Sequence, residues 1–302
     1  MSMKNQLSVI IPIGSANFNI SNLKLTLENI SCSLLDFFLI YDGTNPNEIM
    51  VIQKIKENHK DMNISFFYGE YGGPGMARNK GLQESKTELI SFWDCDDLPE
   101  VEEFLQMKDK LLLEKVDCVL GDFTYVNVRE LSKSPIKLKN DELLIGIGLE
   151  PGLWRFVFTR TSIADLEFGE YRMGEDQVFL AKYLTQSRSM SVHKRNVYNY
   201  FVGFEKQLTG SKKNISEIIF ALKETYGILI NSKDSNPIFL ETLICRQIIT
   251  GITKGNLTTK VLAFAIFLRF VGRICISRRW GAPIAVVKHL MQNNNERLFD
   301  EK

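Results

Sequence analysis

Short apolar segments alternate with helical segments through the first 120 residues of this 302-residue chain, and this alternation constrains the fold most. The apolar segments are rich in β-branched and aromatic residues, which favour strands. The segments between them have apolar residues at helical spacing, for example Leu23, Leu27, Ile30 and Leu34. Such alternation is typical of βαβ units around a mainly parallel sheet. We therefore predict an α/β fold whose first four strands cover residues 7–13, 37–41, 64–68 and 89–93.

Acidic residues follow two of these predicted strands. Asp42 ends the second strand, and Asp94, Asp96 and Asp97 follow the fourth. Ligands of such sheets bind beyond the carboxyl ends of the strands, where clustered carboxylates repel one another unless a cation or a donor group is present. Mg²⁺ or Mn²⁺, held by one or two carboxylates and by phosphate oxygens, suits the acidic turn, and a helix N-cap at Asp97 is the alternative. Asp42 is either a ribose or base contact or an ordinary turn residue.

A glycine-rich segment, residues 72–81, leads into a helix that we expect to begin near Pro74. Glycine permits close approach of the backbone, a helix N-terminus attracts anions, and Arg78 offers a planar fork for phosphate or base. The segment matches neither the dinucleotide fingerprint nor the Walker loop. A nucleotide contact and a plain turn with a helix start both remain open.

Glu175 and Asp176 open a second candidate helix about 80 residues after the acidic turn. A carboxylate in this position is able to deprotonate a hydroxyl if it faces the same crevice. The alternative is a first-turn acid that complements the helix dipole. The spacing alone does not separate these two interpretations.

Composition excludes several classes of protein. With 37 basic and 36 acidic residues the formal net charge is +1, so no global field points to nucleic acid. The five cysteines are scattered singly, which fits a reducing cytosol and disfavours a zinc site. We interpret residues 7–13 as a buried strand rather than a signal peptide, and residues 261–276 are too short and too basic to span a bilayer. We therefore expect a cytoplasmic protein.

The pattern changes in the second half of the chain. We expect residues 129–141 to form a loop, 154–159 a strand, 175–184 a helix and 191–201 an extended segment. From Ile215 onward the pattern is helical, with breaks near residues 231–237, 251–256 and 277–283. The polar residues 293–302 are expected to form a flexible tail.

The order and spacing of these motifs resemble the family-2 inverting glycosyltransferases over residues 7–205. The resemblance implies a GT-A type fold, with a Rossmann-like, mainly parallel sheet flanked by helices and a C-terminal helical extension. It divides the chain into a glycosyltransferase domain at 1–205, a helical extension at 206–292 and a tail at 293–302. Within the domain, residues 1–125 would bind the nucleotide-sugar and 126–205 the acceptor.

The resemblance also implies roles for individual residues. Asp176 would be the general base, with Glu175 as its neighbour or substitute. The metal, Mn²⁺ or Mg²⁺, would lie on Asp96, with Asp97 as a second candidate ligand and His193 as a group near the diphosphate. Donor binding would fall to Pro12, Asp42, Gly73, Arg78, Asp94 and Asp96.

The implied reaction moves a sugar from a nucleotide diphosphate, UDP first among the candidates, to a hydroxyl of a saccharide or lipid-linked saccharide, with inversion. Surface polysaccharide or glycolipid synthesis is the expected setting. Trp154 and Arg155 lie where the family places acceptor contacts, although a tryptophan equally suits plain packing, and His193 equally suits a satisfied histidine. A metal-dependent sugar nucleotidyltransferase and a noncatalytic sugar-nucleotide-binding module are the alternatives.

The C-terminal helices combine cations with aromatic residues. Phe264, Phe267, Phe270 and Trp280 alternate with Lys and Arg, a composition compatible with a helix that lies on an anionic bilayer surface. The alternative is a helical subdomain whose apolar faces pack on the sheet or on a second protomer as a homodimer. The bilayer interpretation predicts a peripheral location at the inner face of the cell membrane.

Overall fold

The computed structural model describes residues 6–15, 18–30, 34–203, 212–232 and 237–299. Its strands are β1 (Leu7–Gly14), β2 (Leu35–Asp42), β3 (Asn63–Gly69), β4 (Leu89–Phe92), β5 (Leu98–Pro99), β6 (Cys118–Asn127), β7 (Ser132–Ile136), β8 (Phe156–Thr159) and β9 (Met190–Val202). Its α-helices are α1 (Ser21–Glu28), α2 (Pro46–Asn58), α3 (Pro74–Glu84), α4 (Val101–Glu114), α5 (Leu143–Leu149), α6 (Glu175–Leu184), α7 (Lys212–Ser216), α8 (Ile218–Asn231), α9 (Ile238–Lys254), α10 (Leu257–Ser277) and α11 (Gly281–Phe299). The predicted α/β class is confirmed.

The first four strands form a parallel sheet in the order β3-β2-β1-β4. The side chains of β1, β2 and β4 are largely buried because helices cover both faces of the sheet, which explains their nearly continuous apolar runs in the sequence. Gly14 pairs with Asp42, and Asp42 pairs with Gly69, so β1, β2 and β3 end at one level. This edge carries the acidic residues that the sequence places at strand ends.

The second half of the sheet is mixed. It continues from β4 through β8, β6 and β9 to β5, and β8 runs antiparallel to both of its neighbours. The prediction of a loop at residues 129–141 was wrong in part, because β7 pairs antiparallel with β6 inside this range. β7 contains Pro135 and is mostly exposed, so it lacks the apolar pattern that identifies a buried strand.

The two faces of the sheet support separate cores. Alternate residues of a strand point to opposite faces, so Val9 and Ile11 pack with Leu27 and Phe104, whereas Ile10 packs with Phe179. The core that contains Ile10 continues into the C-terminal helices, where it includes buried residues of α8, α9 and α10. The helical extension therefore packs on the sheet through its inner faces.

The predicted breaks between the C-terminal helices agree with the structure, which ends α8 at Asn231, α9 at Lys254 and α10 at Ser277. The helix α11 continues to Phe299, into the range predicted to be a flexible tail. The predicted domain boundary at 205/206 lies outside the described residues. Within the described part of the chain, no helix is both long enough and apolar enough to cross a bilayer.

Candidate active site

Asp42 holds the glycine-rich loop against the end of β2. Its Oδ1 accepts the backbone N–H of Tyr71 at 2.6 Å and that of Gly72 at 3.0 Å. Gly72 and Gly73 have φ values of 94° and 149°, a region that favours glycine, and α3 begins at the next residue. The sequence of the loop thus fixes where α3 starts and which way its first turn faces.

Arg78 on α3 joins the candidate motifs. Its side chain is buried, with Nη2 2.7 Å from Asp94 Oδ1 and Nη1 2.8 Å from Glu175 Oε1. Burial alone would lower the pKa of Arg78, but the charges of Asp94, Glu175 and Asp176 outweigh it and raise the pKa. One guanidinium therefore connects the glycine-rich helix, the acidic turn and the start of α6.

The acidic turn is fastened to β9. Asp97 is 2% exposed, and its Oδ1 accepts the N–H of Phe201 at 2.8 Å. The N–H of Asp94 donates to the hydroxyl of Tyr198 at 2.9 Å. Burial and the neighbouring carboxylates raise the pKa of Asp97 well above its usual value, and burial with the charge of Asp94 raises the pKa of Asp96 to about 6. The turn holds more negative charge than its protein partners neutralise.

A divalent cation fits this turn only with help from a ligand. No cluster of three or more His, Cys, Asp or Glu side chains arranged for metal binding occurs among the described residues. Asp94 is paired with Arg78 and Asp97 with β9, whereas no side chain in the described part of the chain pairs with the Asp96 carboxylate. One or two carboxylates plus diphosphate oxygens form the usual protein site of Mg²⁺ or Mn²⁺.

Asp176 lies in the first turn of α6, where the preceding Gly174 has a φ of 84°. Asp176 Oδ1 accepts the N–H of Gln177 at 2.8 Å. Burial and the charges of Glu175 and Asp94 raise the pKa of Asp176 to about 7, against the opposing effect of Arg78. Glu175 is tied to Arg78, so Asp176 is the carboxylate of the pair that remains open to a ligand.

A cavity of about 710 Å³ collects these groups at the carboxyl edge of the sheet. Nine of the twelve site residues predicted from sequence line it: Pro12, Asp42, Arg78, Asp94, Asp96, Asp97, Trp154, Glu175 and Asp176. Gly73 lies between two lining residues, Gly72 and Pro74. The cavity is large enough for a nucleotide-sugar-sized ligand and exposes carboxylates at both of its sides.

Two predicted residues lie elsewhere. Arg155 is fully buried, donates from Nη2 to the backbone oxygen of Glu150, and lies over the ring of Phe123 at 5.2 Å. His193 Nε2 is 2.6 Å from Oε2 of Glu103 on α4. Neither side chain lines the cavity, so the geometry supports neither an acceptor contact at Arg155 nor a metal ligand at His193.

Trp154 lines the cavity as part of an aromatic stack. Its ring packs on Tyr198 at 4.4 Å and on Tyr200 at 5.3 Å between centroids, with interplanar angles of 16° and 12°. The side chain is 7% exposed. Trp154 thus contributes a wall of the cavity, and packing on β9 accounts for most of its surface.

The sequence analysis missed the group around Glu150. This buried carboxylate contacts the hydroxyl of Tyr125 at 2.5 Å, Nη1 of Arg246 at 3.2 Å and Nε2 of His289 at 3.1 Å. Burial opposes ionisation, but Arg246, His289 and Tyr125 lower the pKa of Glu150 to about 2. Arg246 is a cation in the middle of the largely apolar helix α9, and this is the sequence signal that could have identified it.

Two curated relatives share sequence with this chain. An uncharacterized glycosyltransferase of Haemophilus influenzae is 25% identical over 232 residues, which cover 74% of this chain and 90% of that protein. The poly(ribitol-phosphate) beta-glucosyltransferase of Bacillus spizizenii is 24% identical over 204 residues, which cover 65% of this chain and 32% of that protein.

Two solved structures share the fold. TarS residues 1–349 from S. aureus, in complex with UDP-GlcNAc, superpose with a TM-score of 0.64 at 16% identity, covering 88% of this chain and 81% of that one. The mannosyltransferase PcManGT from Pyrobaculum calidifontis, in complex with GDP-Man and Mn²⁺, has a TM-score of 0.58 at 13% identity, covering 99% and 88%. These likenesses confirm the GT-A type fold.

A family model settles the classification. The model described as glycosyl transferase family 2 matches residues 8–168, more than half of the chain. The matched range includes the ends of β1, β2 and β4, the glycine-rich loop and the acidic turn. The chain belongs to glycosyl transferase family 2.

Proposed function

We propose that this protein transfers a sugar from a nucleotide diphosphate to an acceptor hydroxyl, with metal assistance and inversion at the anomeric carbon. The observation that carries the proposal is the Arg78 bridge to Asp94 and Glu175, with both bonds shorter than 3 Å. Through this bridge, the acidic turn and the candidate base Asp176 face one cavity. Family membership supplies the glycosyltransferase class, and the residues supply the roles that follow.

The donor is assigned to the side of the cavity formed by the ends of β1 and β2 and by α3. Asp42 and the loop that it holds would contact the nucleoside, and Pro12 would line the same wall. The two structural neighbours are complexes with UDP-GlcNAc and with GDP-Man, so a nucleotide diphosphate sugar suits a chain of this fold. Among nucleotides, we propose UDP for this chain.

Asp96 would hold a divalent cation, with Asp97 as the second candidate ligand. Burial and the neighbouring charge of Asp94 raise the pKa of Asp96, and a bound cation would oppose this rise. When bound, Mn²⁺ or Mg²⁺ would stabilise the negative charge that develops on the departing diphosphate. The solved structure of PcManGT is a complex with Mn²⁺, which is consistent with such a site in a related fold.

Asp176 would accept the proton of the acceptor hydroxyl. A pKa of about 7 leaves a substantial fraction of the carboxylate ionised at neutral pH while keeping it basic enough to take a proton. Attack by a hydroxyl on the face opposite the departing diphosphate gives a single displacement, and therefore inversion. We propose a saccharide or lipid-linked saccharide as acceptor, in the synthesis of a surface polysaccharide or glycolipid, because one curated relative glucosylates poly(ribitol-phosphate).

The replacement Asp176→Asn tests this assignment. It removes the proton acceptor and preserves the size of the side chain, so transfer should fall by at least a hundredfold while donor binding, measured by calorimetry with Mn²⁺, stays within threefold. Asp141→Asn, at an exposed position outside the cavity, is the matched control. Transfer at the wild-type rate in the Asp176 variant would refute the role, and product NMR reports the anomeric configuration.

A further inference from the structure

The helix α10 has two apolar stripes on different faces. One stripe consists of Ala263, Ile266, Phe270 and Ile274, which are buried against the rest of the protein. The other consists of Leu257, Val261, Phe264 and Leu268, which recur at spacings of four, three and four residues and are 51–79% exposed. Since positions three and four apart share a helix face, these four side chains form one outward stripe.

The next helix repeats this arrangement. Ala282 and Val286 of α11 are buried, whereas Ile284, Val287 and Met291 are exposed by half or more. Ile276 and Trp280, at the corner between the two helices, are also exposed. Contiguous apolar surface of this kind is uncommon on a protein that has no partner there.

The charge of this region is one-sided. Residues 257–291 contain six Lys or Arg residues and no Asp or Glu, whereas the rest of the chain has 31 basic and 36 acidic residues. Five of these cations are exposed: Lys260, Arg269, Arg278, Arg279 and Lys288. The outward stripes of α10 and α11 are therefore bordered by positive charge on a chain that is otherwise acidic.

We propose that the outward faces of α10 and α11 bind the surface of an anionic phospholipid bilayer. A helix of this type lies in the interface, with its apolar side chains among the lipids and its cations at the phosphates. A second copy of the chain fits less well, because the same face would bring five exposed positive charges against five. No residue of α10 or α11 is among those that line the active-site cavity, so the exposed stripes lie outside it.

Cosedimentation with lipid vesicles tests the proposal on the full chain, with no need for a transfer assay. The protein should pellet with phosphatidylglycerol vesicles and remain in the supernatant with phosphatidylcholine vesicles. Replacing Val261, Phe264 and Leu268 together by Ser should lower the partition coefficient at least tenfold. The control variant carries Ser at three apolar helix positions elsewhere that are 45–82% exposed, Leu25, Met50 and Leu113, and should bind like the wild type.

A second pair of variants tests the contribution of positive charge to vesicle binding. Lys260→Gln with Arg269→Gln should weaken binding roughly twenty-five-fold at low salt, about fivefold for each charge. Lys54→Gln with Lys60→Gln, on exposed positions at α2, should leave binding unchanged. Circular dichroism confirms that each variant is folded.

Three results would overturn the proposal: equal binding to both lipids, pelleting that the Val261, Phe264 and Leu268 variant does not reduce, or no pelleting at all. If a second copy covers the surface instead, sedimentation velocity will find a dimer that this same variant dissociates, without vesicle binding. Because the vesicle assay measures no transfer, its failure would leave the proposed reaction untouched. Loss of transfer in Asp176→Asn would likewise say nothing about lipid.

Discussion

Replacing Arg78 by Met removes the charge that joins the acidic turn to α6. The side chains of Arg78 and Glu175 are 7% and 6% exposed, and that of Asp94 is 27% exposed, so the variant leaves one fully buried and one partly buried carboxylate without a partner. Breaking a buried ion pair from one side costs about 3–5 kcal/mol. Since domains are typically stable by about 5–15 kcal/mol, we expect a large loss in the free energy of unfolding.

The same helix provides a matched control. Lys80 pairs with Glu84 one turn along α3, with both side chains about a third exposed, so Lys80→Met should cost far less stability than Arg78→Met. Urea unfolding of the wild type and both variants at pH 7.5 measures the difference. A loss below about 1 kcal/mol in the Arg78 variant would refute the reasoning.

The pH dependence identifies the cause of the loss. Arg78 lowers the pKa of Glu175, so its removal moves the folded-state pKa further above the unfolded value. The variant then takes up more protons on folding than the wild type does. The difference in the free energy of unfolding between the two proteins should therefore shrink as the pH falls from 7.5 toward 5. Adding Glu175→Gln to Arg78→Met should also recover part of the loss at pH 7.5, whereas strictly additive losses would contradict a charge effect.

Two further predictions concern the reaction. Asp96→Asn should abolish the Mn²⁺-dependent part of donor affinity in calorimetric titration, because the remaining carboxylates of the turn are held by protein donors; an unchanged isotherm would exclude Asp96 as a ligand. The rate kcat/KM should fall about tenfold for each pH unit below about 7, since a base with a raised pKa is protonated and inactive there. A profile that is flat from pH 5.5 to 8 would rule out Asp176 as the base.

Strands β1, β2 and β4 could be predicted because burial on both faces makes their sequences continuously apolar, and β3 because it is rich in aromatic and β-branched residues. The observed bounds of β1 and β3 differ from the predicted ones by one residue, and those of β2 by no more than two. β6 was not identified: its last four residues are only partly buried, and its main partner β9 lies about 70 residues later in the chain. Long-range pairing of this kind leaves little local signal.

The direction of individual side chains could not be predicted from the sequence either. Trp154 and Arg155 are neighbours in a short 3₁₀ turn, yet Trp154 lines the cavity and Arg155 points into the protein toward Glu150. His193 on β9 also points away from the cavity, because its ring faces α4 and contacts Glu103. A resemblance places such residues in the correct segment, but the fold decides which face each one takes.

The acidic turn illustrates how tertiary contacts complete a motif. Spacing alone leaves three equivalent carboxylates, and the choice among them depends on residues far away in the chain. Arg78, 16 residues before Asp94, forms an ion pair with it. The N–H of Phe201, 104 residues after Asp97, donates a hydrogen bond to that carboxylate. Asp96 remains available, and it also has the raised pKa that a bound cation would relieve. On this argument Asp94 acts as a positioning residue, so its amide variant should weaken donor affinity through the geometry of the turn, whereas Asp96→Asn removes the proposed ligand atom itself.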